Sequence, residues 1–144
     1  MKQRRARWMV VGLVTTALAL SGCAEKSKSE ASEDGPVKLV EIKGSDVQQV
    51  VLTARAAKRI GIKMVAISYK AGAKVAPYAS VVYDASGKAW AYTSPKPLTF
   101  ERTPITVDSI AGDDALLSAG PNTGTEVVTV GTAELFGSEQ EIGH

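Results

Sequence analysis

Few of the side chains that catalyse reactions or bind metal ions occur in this sequence. His144 is its only histidine and Cys23 its only cysteine. A catalytic Ser-His-Asp arrangement requires a histidine held between its two partners, and zinc sites usually require several histidine or cysteine ligands. We expect His144, in a polar and glycine-containing tail, to be a solvated residue. The sequence therefore predicts no catalytic residue, no metal site and no enzymatic activity.

The other candidates for such chemistry are two neighbouring carboxylates and one thioether. Asp113 and Asp114 follow an Ala-Gly pair, and acidic residues in this context are typical of a turn. Met64 is the only methionine outside the first 22 residues, whereas soft copper or silver sites need several thioether or thiolate ligands. We therefore interpret the two aspartates as turn residues and Met64 as part of the core.

Aromatic side chains are concentrated in one hairpin region, and they could either pack or bind there. Trp90 and Tyr92 are two residues apart, so on a strand they share one face. Cross-strand packing in the core is one interpretation. The other is an exposed Trp90/Tyr92 surface that binds a protein partner, a glycan or a lipid. Burial of both rings would exclude the second interpretation.

The first 22 residues have the three parts of a secretory signal. Four basic residues lie within the first seven, and residues 8–20 are mainly apolar. This apolar run is shorter than the ~20 residues that a helix needs to span a bilayer. Ser21 and Gly22 are small residues and precede Cys23. We therefore predict that residues 1–22 are a signal peptide and not part of the fold.

The end of this leader resembles the lipobox of bacterial lipoproteins. Leu20, Ser21, Gly22 and Cys23 carry the resemblance. It implies cleavage between Gly22 and Cys23, a diacylglycerol on the Cys23 thiol, and acylation that holds the mature protein to a membrane; no cofactor is expected. More than one acyl chain is needed for stable anchoring, because a single chain binds a membrane only marginally. The alternative for Cys23 is a buried or unpaired structural cysteine.

The lipobox implies the cell envelope but does not select a membrane. Ala24 follows the cysteine, so there is no aspartate to resemble the inner-membrane retention signal. We expect anchoring to the outer face of the cytoplasmic membrane, or to the outer membrane of a Gram-negative host. A twin-arginine signal at residues 4–5 is the less favoured export route, because the flanking residues fit it poorly.

Removal of the leader changes the charge balance. Four of the 17 lysine and arginine residues lie in the leader, whereas all 15 aspartate and glutamate residues follow it. The remaining chain is mildly acidic, which argues against a nucleic-acid partner. Residues 23–36 are polar, charged and rich in serine. We expect them to comprise the lipidated cysteine and a flexible linker that holds the next domain off the lipid surface.

Residues 37–136 have the pattern of one β-domain with a single short helix. Thr53 and Gly61 bracket a segment rich in Ala, Arg and Lys, which predicts a helix over 54–60 with Thr53 as its N-cap. Turn residues separate short apolar or alternating runs. Strands are predicted over residues 37–42, 47–52, 62–69, 79–83, 88–93, 98–102, 105–110, 115–118 and 126–130. This spacing predicts a mainly β fold, a small β-roll or barrel-like domain.

The connections and the end of the chain give further expectations. Residues 84–87 are predicted to form a hairpin loop and residues 70–74 a flexible connector. Pro95 and Pro97 are expected to exclude a central strand, because proline lacks the N–H that a ladder needs. Residues 132–136 are expected to form one helical turn with Thr132 as its N-cap, and residues 137–144 a loose tail.

Two parts of the domain carry recognisable motifs. They are Val51-Leu52-Thr53 with Ile60-Gly61-Ile62, Pro77-x-x-Ser80-Val81-Val82-Tyr83, Trp90-Ala91-Tyr92, Phe100-Glu101-Arg102, Ala115-Leu116-Leu117-Ser118 and Gly124-Thr125-Glu126-Val127-Val128. Together they resemble the membrane-proximal domain of membrane fusion proteins, the periplasmic adaptors of efflux and export pumps. In that family this small β-roll is built from both ends of the chain, and a β-barrel, a lipoyl-like domain and a helical hairpin lie between them. Here the resemblance implies that the two ends are joined through residues 70–74, without the central domains.

The resemblance and the lipobox together imply a lipid-anchored, non-enzymatic interaction module. Its expected partners are the membrane, through the lipid, and an efflux or export transporter or another envelope protein. The alternative is a small lipoprotein that binds a glycan or a lipid through Trp90 and Tyr92.

Overall fold

The computed structural model describes residues 35–142. The predicted signal peptide, the cleavage site at Gly22 and Cys23, most of the linker, and His144 lie outside these residues. The described part is mainly β, as predicted, with 52% of it in strands. The strands are β1 (Val37–Glu41), β2 (Gln48–Leu52), β3 (Lys63–Ala66), β4 (Ser68–Lys70), β5 (Ala73–Pro77), β6 (Val81–Tyr83), β7 (Ala89–Lys96), β8 (Thr99–Pro104), β9 (Thr106–Ala111), β10 (Asp114–Ala119) and β11 (Glu126–Val130); the helices are α1 (Ala54–Ile60) and α2 (Thr132–Ile142).

The larger sheet combines strands from the two parts of the domain. Its order is β1-β2-β8-β7-β11-β3, and β6 also pairs with β7. The strand β2 pairs with β8 through Val50 and Phe100, and β3 pairs with β11 through Val65 and Val127. Strands that precede the predicted connector therefore lie at both ends of this sheet, and strands that follow it lie between them.

The smaller sheet has the order β4-β5-β10-β9. The predicted mainly β fold is confirmed, and its two sheets do not close into a barrel. The predicted flexible connector is a tight hairpin turn between β4 and β5, in which Ala71 and Gly72 both have positive φ.

Successive residues of the central strands face two different cores. One core lies between the two sheets and contains Ala91 of β7 and Leu117 of β10. The other lies beneath the two helices and contains Tyr92, Phe100 and Leu135. The neighbouring residues Ala91 and Tyr92 thus enter different cores, because strand side chains alternate between the two faces of a sheet.

The helix α1 is confirmed with its predicted bounds. The Thr53 hydroxyl accepts a hydrogen bond from the Ala56 N–H at 3.2 Å, as an N-cap does. Gly61 is left-handed, with φ of 76°, and its N–H donates to the Ala57 carbonyl. Local signals decide both ends of this helix, which explains why the sequence located it.

The prediction of one helical turn and a loose tail is wrong, because α2 continues to residue 142. Leu135 and Glu139 are one turn apart, and both are buried. Thr132 does not act as the expected cap: its hydroxyl donates to the Ala79 and Val128 carbonyls. Tertiary packing therefore holds a helix that local propensity does not indicate.

Three strand predictions also need correction. The predicted strand over 62–69 is divided at Ile67, which is buried and hydrogen-bonded to the turn before β11. The segment predicted as a strand over 79–83 begins with a 3-10 turn, Tyr78–Ser80. Pro95 lies within β7, a strand that has neighbours on both sides. It is tolerated there because it lies at the exposed end of β7, where the pairing with β8 changes register.

Candidate functional site

Asp84 organises the turn between β6 and β7. Its Oδ1 atom accepts hydrogen bonds from the Ser86 N–H at 2.9 Å, the Ser86 hydroxyl at 2.6 Å and the Lys88 N–H at 3.0 Å. Its Oδ2 atom accepts a hydrogen bond from the indole N–H of Trp90 at 2.9 Å. These hydrogen bonds, that from the Ser86 hydroxyl first, hold the pKa of Asp84 well below its usual range. The predicted hairpin loop is confirmed, and its aspartate also fixes the Trp90 ring.

The Trp90 ring is covered by cations of its own chain. The Lys88 ammonium lies 4.2 Å from the ring centroid, and the Arg102 guanidinium carbon lies 4.5 Å from it. Both distances are within the range of cation–π attraction. Only 7% of Trp90 is exposed, so its ring does not offer a face to a ligand.

Tyr92, Arg102 and Glu139 form a buried polar cluster beneath α2. The Tyr92 hydroxyl donates a hydrogen bond to Glu139 Oε2 at 2.6 Å. Arg102 Nε lies 2.9 Å from Glu139 Oε1, although its N–H is not aligned for a hydrogen bond. The pKa of Tyr92 is raised far above its usual range, first by burial and then by the hydrogen bond to the Glu139 carboxylate. The cluster links β7, β8 and α2.

The hypothesis of an exposed Trp90/Tyr92 binding surface is wrong. The structure brings the two residues to one face of β7, as expected, but Tyr92 is fully buried and Trp90 nearly so. Their polar atoms are bonded to Asp84 and Glu139. The interpretation that the aromatics pack is therefore confirmed, and neither residue is available to a partner.

Sequence reasoning missed Glu139. The only signal for it was its spacing of four residues from Leu135, which places both side chains on one face of a helix. The surrounding polar residues and Gly137 masked that spacing. An acidic residue in a polar segment is ordinarily solvated, so its burial depends on Arg102 and Tyr92, which lie far away in the sequence.

The other candidate residues have structural roles. Asp114 begins β10 and forms an exposed ion pair with Lys70 at 3.2 Å, while Asp113 lies in the turn before it and its carbonyl accepts the Tyr78 N–H. Met64 packs against the core beneath the helices, as predicted. Within residues 35–142, no group of three or more His, Cys, Asp or Glu side chains could hold a metal ion. Neither helix in that range is long and apolar enough to cross a membrane.

A shallow groove with exposed apolar side chains lies between the β6–β7 hairpin and β9. Its volume is about 460 Å³, and Tyr83, Lys88, Ile105 and Ile110 are among its lining residues. Tyr83 and Ile110 are 47% and 49% exposed. Within residues 35–142, β9 is an edge strand of the smaller sheet, and one side of its backbone has no strand partner. The groove can therefore contact apolar side chains, and the free side of β9 can pair with an extended segment.

Comparison with known proteins finds no match: no protein-family model, no curated protein and no solved structure is similar to this chain. The resemblance to membrane fusion proteins therefore stays a prediction from the motifs.

Proposed function

We propose that this protein is a lipid-anchored, non-enzymatic interaction module of the cell envelope that associates with an efflux or export transporter. Cys23 carries the lipid, the linker gives the domain its reach, and the β-domain docks on the partner. One observation carries the proposal. The strands before and after residues 70–74 share one sheet, as the resemblance to the two-piece adaptor domain implies.

The groove beside β9 is the surface we assign to the partner. It combines exposed Tyr83 and Ile110 with an unpaired strand edge, and aromatic anchors of this kind dominate the affinity of many interfaces. The ligand-binding alternative through Trp90 and Tyr92 is not proposed, because both residues are buried.

Site-specific photo-crosslinking in native membranes tests this function. A photoreactive amino acid replaces Ile110 in the groove or, as a matched control, exposed Gln140 on α2. We expect a transporter subunit to be crosslinked from position 110 and not from position 140. A Tyr83→Ser/Ile110→Ser variant should weaken co-purification of that subunit about tenfold or more. Crosslinks to lipid alone from both positions would contradict the proposal.

A further inference from the structure

Basic residues are segregated in this domain. Residues 47–83 contain six lysine and arginine residues and no aspartate or glutamate. Two of the six have partners: Lys70 pairs with Asp114, and the Lys74 ammonium donates to the Gly120 carbonyl at 2.9 Å. The other four are Arg55, Lys58, Arg59 and Lys63, and none of them forms an ion pair with another residue in the range 35–142.

Three of these four residues share the outer face of α1. Arg55, Lys58 and Arg59 are spaced three and four residues apart, so they project from one side of the helix. All three are exposed, whereas Ala56 on the other side is buried. We call the three residues the basic face of α1.

The linker joins the domain beside this basic face. The Thr53 N–H, immediately before α1, donates a hydrogen bond to the Pro36 carbonyl at 3.1 Å. Pro36 also lines a surface groove of about 410 Å³ together with Arg55 and Arg59. The roughly dozen residues between Pro36 and Cys23 can span at most ~45 Å, because an extended chain advances about 3.5 Å per residue. The basic face is thus within reach of whatever surface holds Cys23.

We propose that the basic face of α1 docks on the anionic phospholipid headgroups of the membrane that holds the lipid anchor. This inference rests on the lipid-anchored function proposed above. The basic face is complementary in charge to such a surface. The linker joins the domain next to this face, so it holds the face close to the membrane. The lipid anchor keeps the domain at the bilayer, and a basic patch adds electrostatic attraction to anionic lipids there.

Docking on the bilayer also orients the domain. The register of β1 and β2 places Val37 opposite Leu52 at one end of this hairpin, and Glu41 opposite Gln48 at the other. Ser45, in the turn between β1 and β2, therefore lies at the end opposite the start of α1. With the basic face on the membrane, we expect that turn to lie farther from the lipid than α1 does. The anchor alone gives no such preferred orientation.

The contribution of the basic face to membrane docking should be large enough to measure. Each basic residue near an anionic bilayer shifts the ratio of docked to undocked protein about fivefold, so the three residues together should shift it about 100-fold. The shift should shrink with added salt, since ions screen exposed charges over about 10 Å at 0.1 M.

Energy transfer from the protein to the lipid surface tests the proposal. The mature lipidated protein is placed in vesicles of phosphatidylcholine alone, or of equal parts phosphatidylcholine and phosphatidylglycerol, with an acceptor dye on a headgroup. The donor dye is attached to the thiol introduced by Ala54→Cys on α1 or by Ser45→Cys on the distant turn. We expect transfer from position 54 to rise when phosphatidylglycerol is present and to fall again in high salt. Transfer from position 45 should not rise.

Two charge variants complete the experiment. Arg55→Glu/Arg59→Glu should abolish the rise at position 54, and the neutral Arg55→Gln/Arg59→Gln should reduce it strongly. Lys43→Glu/Lys70→Glu makes the same change in net charge away from α1 and should leave the rise intact. Thermal unfolding of each variant in detergent checks that the fold is kept.

The outcomes separate this inference from the function on which it rests. Failure of the protein to float with phosphatidylcholine vesicles would contradict the proposed lipid anchor itself. Flotation without any response to phosphatidylglycerol would leave the anchor in place and overturn the docking. It would mean that the basic face is covered otherwise, for example by Glu33 and Asp34 of the linker.

Discussion

The carboxylate of Glu139 accepts a hydrogen bond of 2.6 Å from the hydroxyl of Tyr92, a residue 47 positions earlier in the sequence. This contact ties α2 to the middle of β7, the strand that borders β6, β8 and β11. The same carboxylate lies 2.9 Å from Arg102 on β8. The burial of this acidic side chain therefore depends on the Arg102 cation and the Tyr92 hydroxyl beside it.

Removing Glu139 should strongly destabilise the domain. Glu139→Ala leaves the positive charge of Arg102 without its counter-ion, and only 14% of the Arg102 side chain is exposed. Breaking a buried ion pair in this way costs about 3–5 kcal/mol. Urea unfolding measures the loss, and Glu141→Ala on the exposed side of α2 should change the free energy of unfolding by no more than ~0.5 kcal/mol. Equal effects of the two substitutions would contradict a stabilising role for the contacts of Glu139 with Tyr92 and Arg102.

The Tyr92 hydroxyl should make the domain sensitive to alkaline pH. The pKa of Tyr92 is raised in the folded state, so above its ordinary value of 10.0 only the unfolded chain ionises it. The folded protein therefore loses stability as the pH rises through and above 10. Tyr92→Phe lacks this loss. The gap in unfolding free energy between the natural protein and the variant should narrow from pH 9 to pH 11, and a constant gap would count against the assignment.

Asp84 should contribute an acid-sensitive part of the stability. Its pKa is lowered from the ordinary value of 3.8, mainly by the hydrogen bond from Ser86. Below pH ~4 the Asp84 carboxylate becomes protonated in the unfolded chain but stays ionised in the folded one. The free energy of unfolding therefore decreases as the pH falls below this value. Asp84→Asn should remove this dependence. Ser86→Ala should raise the titration midpoint of the Asp84 carboxyl carbon observed by NMR, and an unchanged midpoint would exclude Ser86 as the main cause.

Gly131 should tolerate no side chain. It joins β11 to α2 with φ of +93°, and an added Cβ would lie 2.7 Å from Ile60 Cγ2 and still closer to Ile62 Cδ1. Strain and overlap together should cost Gly131→Ala about 2–4 kcal/mol. Gly87 is the matched control, because it has φ of +82° but nothing within 4 Å of the added Cβ. Gly87→Ala should cost only ~1 kcal/mol by the same thermal unfolding measurement.

The predicted anchor has a direct test in cells. Cys23→Ala removes the thiol that the lipid requires, so the protein should stay unprocessed or be released from membranes. Fractionation with metabolic labelling by a radioactive fatty acid measures both results, and Ser21→Ala serves as a neighbouring control that keeps the label. Retention of a processed, labelled Cys23→Ala protein in the membrane fraction would refute lipidation at Cys23.

Local sequence signals located the elements that depend on local interactions. The helix α1 was predicted from Thr53 and Gly61, whose side chain and backbone make its caps. The strand β11 was predicted with its observed bounds, Glu126–Val130. Two of its valines, Val127 and Val128, are buried in the two different cores.

Elements that depend on distant partners were not predictable in the same way. The helix α2 contains Gly137 and several polar residues, so its stability comes from Leu135 and Glu139 in the interior. The sequence predicts that Trp90 and Tyr92 lie on the same face of a strand. Whether that face is exposed to solvent or buried in the core depends on α2. Periodicity identifies a shared face and does not say what covers it.

The position of the early strands at both ends of the larger sheet governs how the chain can fold. The strand β3 has no neighbour in that sheet until β11 has been made, and β2 pairs only with β1 until β8 has been made. Pairings between such distant segments give a high contact order, which slows folding. A growing chain that stops before β11 leaves β3 without a partner in that sheet, so truncated products should be prone to aggregation and proteolysis. Slow completion of the sheet also lengthens the time for which the chain stays unfolded after synthesis.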